Sequence, residues 1–327
     1  AEVKPLRFVQ FRRKGGDPMT KGSSAARQDL RKRRGLSKLE QGYMGFVLIL
    51  PWLIGFCIFK LYPFVSSLVY SFTDYDLFRG VQNVVGFQNY IDAFTKAKNV
   101  KALKVTFTYA FMTVPLKLVF ALFIAYILNF KIKGVGLFRT AYYVPSILGG
   151  SVAIAVLWKA LFKNDGVVNT ILTMLGFESI NFLADKNWAL FIICLLRVWQ
   201  FGSAMVLFLA ALKGVPEDLY EAASIDGASE WQIVKSIKLP ELRGSLAITV
   251  IFSIIGSFQL FNEPSILQNM VPGNAITTYY TPNMYAYNLS FSGNQSNYAA
   301  ALAIVMAVIT MAIAYIVQLN SLKEQMK

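Results

Sequence analysis

Apolar stretches of about 20 residues recur six times along this chain of 327 residues, and that recurrence restricts the fold more than any other feature. They lie at roughly 44 to 70, 105 to 129, 141 to 161, 189 to 212, 245 to 264 and 299 to 319. Each is long enough to cross a hydrocarbon layer about 30 Å thick. No water is available there to satisfy peptide groups, so each run must close its own backbone hydrogen bonds as a helix. An all-α, polytopic membrane protein with six transmembrane helices is the expected fold class. Composition agrees, with 55% hydrophobic and only 15% charged residues, against about 25% charged in soluble domains.

Charge placement divides the chain and orients it. Residues 1–42 carry twelve Lys or Arg against four Asp or Glu and are expected to form a basic, partly disordered, cytoplasmic N-terminal segment. Residues 43–327 form one transmembrane domain, with a polar loop at 213–242. The first apolar run follows about 42 polar residues, and no A-x-A-like cleavage pattern follows it, so it is expected to stay as an anchor. Six spans put both ends on one side. That side holds 21 Lys and Arg and the opposite side seven, which by the positive-inside rule places both termini and the 213–242 loop in the cytoplasm. Short helices are expected on the outer side at 87–94 and 165–177, where apolar residues recur at helical spacing. Trp188 and Tyr298, at the starts of their spans, suit an interfacial aromatic belt.

Several chemistries are excluded. The chain has no histidine, so histidine triads and His-ligated metals are absent. Cys57 and Cys194 both sit inside apolar runs, with no CxxC pattern, and are expected to be core thiols. There is no GxxxxGK[ST] phosphate loop, so the chain cannot hydrolyse ATP as a P-loop enzyme. No catalytic residue, metal site or cofactor of its own is expected. The net charge of +14 does not point to nucleic acid, because more than half the excess lies before Tyr43. The cluster Arg31–Lys38 has two readings, contact with anionic lipid or a topology signal.

The polar loop has internal order. Pro216 suits a first helical position, and Glu217 and Asp218 place negative charge at the favourable end of the helix dipole. Gly227 ends that helix. Ser229 and Gln232 have capping-box spacing for a second, which Pro240 stops. Ala222, Ala223, Gly227 and Ala228 are small enough to let another surface approach the backbone closely. The physics leaves two readings, docking to a partner or packing on the chain's own bundle.

The segment "EAASIDGASEWQIVKSIKLP", 221 to 240, resembles the EAA loop of binding-protein-dependent ABC importer permeases in Glu221-Ala222-Ala223, Asp226-Gly227-Ala228, Ile237, Leu239 and Pro240. Five further segments resemble sugar permeases of the maltose, multiple-sugar and glycerol-phosphate type: "LYPFVSSLVYSFTDYDL" at 61–77, "VGFQNYIDAF" at 85–94, "FRTAYYVPSILGGSVAIAVLWKALF" at 138–162, "GVVNTILTMLG" at 166–176 and "NYAAALAIV" at 297–305. "PSILQNMVPGNAITTYY" at 264–280 departs from that group, which often carries a Gly-Gly-Pro turn before Thr. The resemblance implies a type I ABC importer permease fold and carbohydrate import, with an oligosaccharide as cargo, by alternating access. It implies that Glu221, Ala222, Ala223, Asp226 and Gly227 dock a cytoplasmic ATPase. The partners would be two ATPase subunits using ATP and Mg, an extracytoplasmic sugar-binding protein and a second homologous permease, a heterodimer being favoured. The setting would be a bacterial cytoplasmic membrane.

If the chain encloses such a path, polar and aromatic side chains inside the spans are its candidates, since unpaired polar groups in lipid are costly. Trp199, Gln200, Gln259, Asn262 and Glu263 are the candidate substrate path, amides and carboxylate for hydroxyls and an aromatic face for a sugar ring. Interhelical glue is the other reading of each. Arg197 and Glu263 are candidates to pair. Lys60 and Lys159 can snorkel to the surface, whereas Lys117 is deeper, two residues past Pro115, where a kink is expected. A secondary transporter or channel needing no ATPase is the alternative class. It would call for paired intramembrane acids or an inverted repeat, and neither is evident.

Overall fold

The computed structural model describes residues 43–81, 83–130, 134–149, 152–270, 275–278 and 280–325. The basic segment 1–42 lies outside the described residues. The chain divides into two units, residues 1–65 and 66–327. Among the described residues the secondary structure is helical, with two isolated bridges, Thr73 with Val84 and Asp76 with Gly80.

Helix α1, Tyr43–Tyr70, is 28 residues long. Most of its side chains, Phe46 and Leu48 among them, are apolar and exposed, as suits contact with lipid. Its backbone widens to π register over Cys57–Leu61, just ahead of Pro63. A proline ring clashes with the carbonyl four residues back, and a widened turn relieves that clash.

In the second unit, α2 (Gln88–Thr95) is the expected outer helix. It is pinned by Asn89, whose side chain donates to the carbonyls of Ser71 at 2.9 Å and Thr73 at 3.0 Å. Helix α3 (Ala97–Asn129) runs 33 residues through Pro115 as one element, about 50 Å at 1.5 Å per residue. Ala102, Thr106, Tyr109, Ala110, Thr113 and Val114 are buried along it, recurring at the three- and four-residue steps of one helix face. Small residues on that stripe, including Ala121 and Ala125, let neighbouring helices approach closely.

The chain continues through α4 (Val135–Leu148), α5 (Val152–Phe162), α6 (Val167–Met174), α7 (Lys186–Trp199) and α8 (Gly202–Gly214). The polar loop forms α9 (Glu217–Ile225) and α10 (Glu230–Ile233). Then come α11 (Arg243–Phe258), α12 (Asn262–Met270), α13 (Pro282–Phe291) and α14 (Ser296–Gln325). Helix α3 is the hub, packing against α7, α8, α11 and α13, while α14 packs on α11, α13 and α2. One core joins Ala121, Ala125 and Leu128 of α3 to Met205, Phe208 and Leu212 of α8. Another gathers Tyr109, Ile193, Cys194, Leu267 and Met284.

The six expected spans are reached when each bent helix pair counts as one span. Four helices are long and apolar enough to cross a membrane unbroken, over Tyr43–Tyr70, Ala97–Asn129, Arg243–Gln268 and Ser296–Lys323. The other two spans are bent pairs, one of α4 with the segment Ala153–Met174 and one of α7 with α8, bent by 41°. Even within Arg243–Gln268 a turn at 259–261 separates α11 from α12. Tyr298 differs from expectation. It is 3% exposed, packed with Ala93 and Leu302, and its hydroxyl donates to the Asp92 carbonyl, so it belongs to the packing between α14 and α2 rather than to a lipid interface.

Candidate functional site

The helix breaks are where the polar groups gather. Two glycines permit this: a methyl group on Gly149 would collide with the side chain of Gln200, and one on Gly202 would collide with the Tyr142 carbonyl and with Ser146 Oγ. Helix α4 therefore lies directly against the elbow between α7 and α8. Gln200 fills that elbow, 5% exposed. Its amide donates to the Gly149 carbonyl at 3.0 Å, and its Oε1 accepts from Arg197 Nη1 at 3.0 Å. The same Nη1 stands 3.5 Å from Glu263 Oε1. The expected pairing of Arg197 with Glu263 is thus present, and Gln200 joins it to a third helix.

The break between α11 and α12 frees carbonyls that helix α13 satisfies. Asn283 donates to the Phe258 carbonyl at 2.8 Å and Thr281 to that of Leu260 at 3.0 Å. Irregular backbone at depth is tolerated where such partners exist.

Beside Arg197 lies a cavity of about 170 Å³ lined by Thr113, Lys117, Ser203, Thr249, Ser253 and Ser257 among others. Thr249, Ser253 and Ser257 are four residues apart and share one face of α11, and Thr113 and Lys117 share one face of α3. Thr113, Thr249 and Ser253 were missed as candidates, although that four-residue recurrence of hydroxyls inside an apolar run is a readable signal. Of the five expected path residues, Gln200 and Glu263 belong to the polar cluster at Arg197. Trp199 packs instead against Trp158, ring centroids 5.6 Å apart, in a core with Phe162, Phe182 and Leu196. Gln259 and Asn262 are exposed beside the turn and do not line the cavity.

At the other end of the bundle the polar loop folds as helix, turn, helix. Pro216 caps α9 from outside rather than opening it. Gly227 has φ +76°, and the N–H groups of Gly227 and Ala228 reach back to the carbonyls of Ser224 and Ala223, a Schellman cap. The Ser229–Gln232 capping box is formed. Glu221, Ala222, Asp226 and Gly227 are exposed and Ala223 half-buried, with Leu219, Ile225 and Trp231 presenting exposed apolar surface around them. Lys238, which sequence reasoning passed over, ties the loop to α3. It is 8% exposed, with its ammonium 4.9 Å from the Tyr126 ring centroid, 5.2 Å from that of Tyr220 and 3.9 Å from Glu230 Oε2. Burial beside this contact pushes the Tyr220 hydroxyl above its usual range.

Residues 90–323 match the family described as binding-protein-dependent transport system inner membrane component. The chain belongs to that family. Among its relatives is the probable ABC transporter permease protein YesP of Bacillus subtilis, 40% identical over 86% of this chain and 90% of that protein. Another is the arabinooligosaccharides transport system permease protein AraP of the same species, 32% identical over 81% of this chain and 84% of that protein. In fold the permease resembles a chain of a solved bacterial ABC transporter involved in the import of the acidic polysaccharide alginate. That likeness has a TM-score of 0.76 at 23% identity, over 89% of this chain and 99% of the other. The fold is that of an ABC importer permease, and the chain is a multi-pass inner-membrane protein.

Proposed function

We propose that this chain is the membrane permease subunit of an ATP-driven importer that carries a carbohydrate, of oligosaccharide length, into a bacterial cytoplasm by alternating access. The observation that carries this reading is the exposed helix–turn–helix of 213–242, with apolar Leu219, Ile225 and Trp231 set around Glu221 outside the membrane spans. Exposed apolar side chains there call for a partner surface. The names of the relatives agree, since they include transport systems for arabinooligosaccharides, lactose and trehalose or maltose.

In this reading Glu221, Ala222, Ala223, Asp226 and Gly227 dock one of two ATPase subunits, which bind the ATP and Mg. This chain binds no cofactor and catalyses nothing itself. Both termini and the loop are cytoplasmic, a sugar-binding protein delivers cargo at the outer face, and a second, similar permease completes the path in a heterodimer. A cavity of about 170 Å³ is below the 300–1,000 Å³ usual for small-molecule pockets, which suits one wall of a path closed by another chain. Gln200 and Glu263 hold Arg197 at that wall, Gln259 and Asn262 meet the sugar from the α11–α12 turn, and Trp199 supports the wall from behind. Residues 43–327 act as one permease domain and 1–42 as its cytoplasmic lead. Lys238 transmits movement of the docked loop to α3.

The test is copurification from native membranes with the chain tagged at its C-terminus, alongside Glu221→Lys. A P-loop ATPase and a second permease should accompany the unmodified chain, and the ATPase should be lost from the variant. A chain that comes down alone in both cases sinks the reading.

A further inference from the structure

We propose that the substrate carried past this wall is an acidic carbohydrate, a sugar bearing a carboxylate, and that Lys117 is the residue that selects it. The proposal rests on the importer reading above and names the substrate class for the same path.

The cavity contains two cations, Lys117 from α3 and Arg197 from α7. Arg197 is neutralised by Glu263 at 3.5 Å, with Gln200 accepting from the same nitrogen at 3.0 Å. Its second terminal nitrogen is accommodated by Gly256, where a methyl group would come within 2.8 Å of Nη2. Lys117 has no such counterion: among the described residues it makes no ion pair and no hydrogen bond. It is half-buried in the middle of α3, at a depth where an ionised group is expensive unless it meets a partner. The local sum is two positive charges against one negative, an excess of one, which matches a monoanion such as a carboxylate better than a doubly charged phosphate.

The rest of the lining suits the sugar to which that carboxylate is attached. Thr249 and Ser257 direct their hydroxyl protons at the carbonyls of Ser245 and Ser253, at 2.6 Å and 2.8 Å. Their lone pairs remain available to accept from sugar hydroxyls. Ser203 and Ser253 add hydroxyls, and Phe252 supplies an apolar face beside them. A neutral oligosaccharide would use these groups and leave the charge of Lys117 unmatched, whereas a uronate uses both.

The test compares two probes on the complex purified with its accompanying subunits in lipid nanodiscs: a mannuronate trisaccharide and its carboxyl-reduced, neutral mannose counterpart. Binding is followed by titration calorimetry for the native chain, Lys117→Gln and Lys117→Arg. The acidic probe should bind the native complex at least tenfold more tightly than the neutral one. The gap should close in Lys117→Gln and persist in Lys117→Arg. Equal affinities in the native complex, binding of the neutral probe alone, binding of neither, or a gap that survives Lys117→Gln would each overturn the proposal. The last result would place the selecting charge elsewhere. The ATPase subunit is checked in the same preparation, so its absence would overturn the importer reading itself, while its presence with no acidic preference would overturn only the choice of substrate.

Discussion

Breaking the Arg197–Glu263 pair should destabilise the permease in a way whose size and asymmetry follow from the geometry. At 3.5 Å, two unit charges in a medium of effective dielectric constant 20 attract by roughly 5 kcal/mol. The side chains are 30% and 13% exposed, so solvent screening and desolvation should reduce the net coupling to about 1–3 kcal/mol. Arg197→Met also removes the donor to Gln200, leaving a buried amide oxygen unsatisfied at a further cost of about 1–3 kcal/mol. Glu263→Gln keeps an oxygen that can still accept from the guanidinium. Arg197→Met should therefore be the more damaging single change. The double variant should lose about 1–3 kcal/mol less than the sum of the singles. Equilibrium unfolding in mixed micelles, run as a double-mutant cycle, measures all of these. Additivity to within about 0.5 kcal/mol, or Glu263→Gln proving worse than Arg197→Met, would refute the electrostatic account of the cluster.

Further outcomes are expected elsewhere. Gly202→Ala drives a methyl into the Tyr142 carbonyl and to 2.8 Å from Tyr143 Cα, backbone that cannot rotate away, so unfolding measurements should show a loss of about 1–3 kcal/mol or more; Gly136→Ala, which meets nothing within 4 Å, should be neutral or gain up to about 1 kcal/mol. Gly227→Val imposes a β-branched residue on φ +76° at a cost of about 1–2 kcal/mol, and limited proteolysis should cut 213–242 faster than in Gly227→Asn, with the native chain slowest. Lys238→Ala removes contacts to two rings and should cost about 1–2 kcal/mol, seen as a lower thermal midpoint. On α2, the hydrogen bonds from Lys96 and Gln88 hold the Asp92 carboxyl below its ordinary 3.8. Its stabilisation is therefore fully present above that value and is lost as pH falls through the lowered one, so thermal midpoints of the native chain and Asp92→Asn should differ at neutral pH and converge in strong acid. A gap that stays constant down the pH scale would contradict the assignment.

How far the sequence could be read depended on whether a signal was local. The turn at Gly227 and the cap at Ser229 depend on neighbours within a few residues, and both are found where the residue types required them. The expected stop at Pro240 is not found: the helix widens to π register over Val234–Lys238, which accommodates the proline ring, and runs on to Glu241. Pairing of Arg197 with Glu263 was legible for a different reason: few charges lie within the spans, and a charge in lipid needs a counterpart. Trp199, Gln259 and Tyr298 were harder to place. Trp199 was a candidate for a sugar ring and is a core residue against Trp158. Gln259, a candidate path residue, is exposed at the α11–α12 turn, a position set by where that span breaks.

Length and hydropathy along the chain determined that this protein crosses a membrane on helices, and Lys and Arg counts gave the expected orientation, because the cost of burying charge and open peptide groups in hydrocarbon acts on each segment separately. Tertiary structure alone decided where the spans break, which glycines admit a neighbouring helix and which polar side chains meet around one cavity. A helix in lipid is apolar on its buried face and on its lipid face alike, so its sequence lacks the contrast that marks the inside of a soluble helix. Which face turned inward, and therefore that Lys117, Arg197 and the hydroxyls of α11 would share a wall, depended on how whole helices packed.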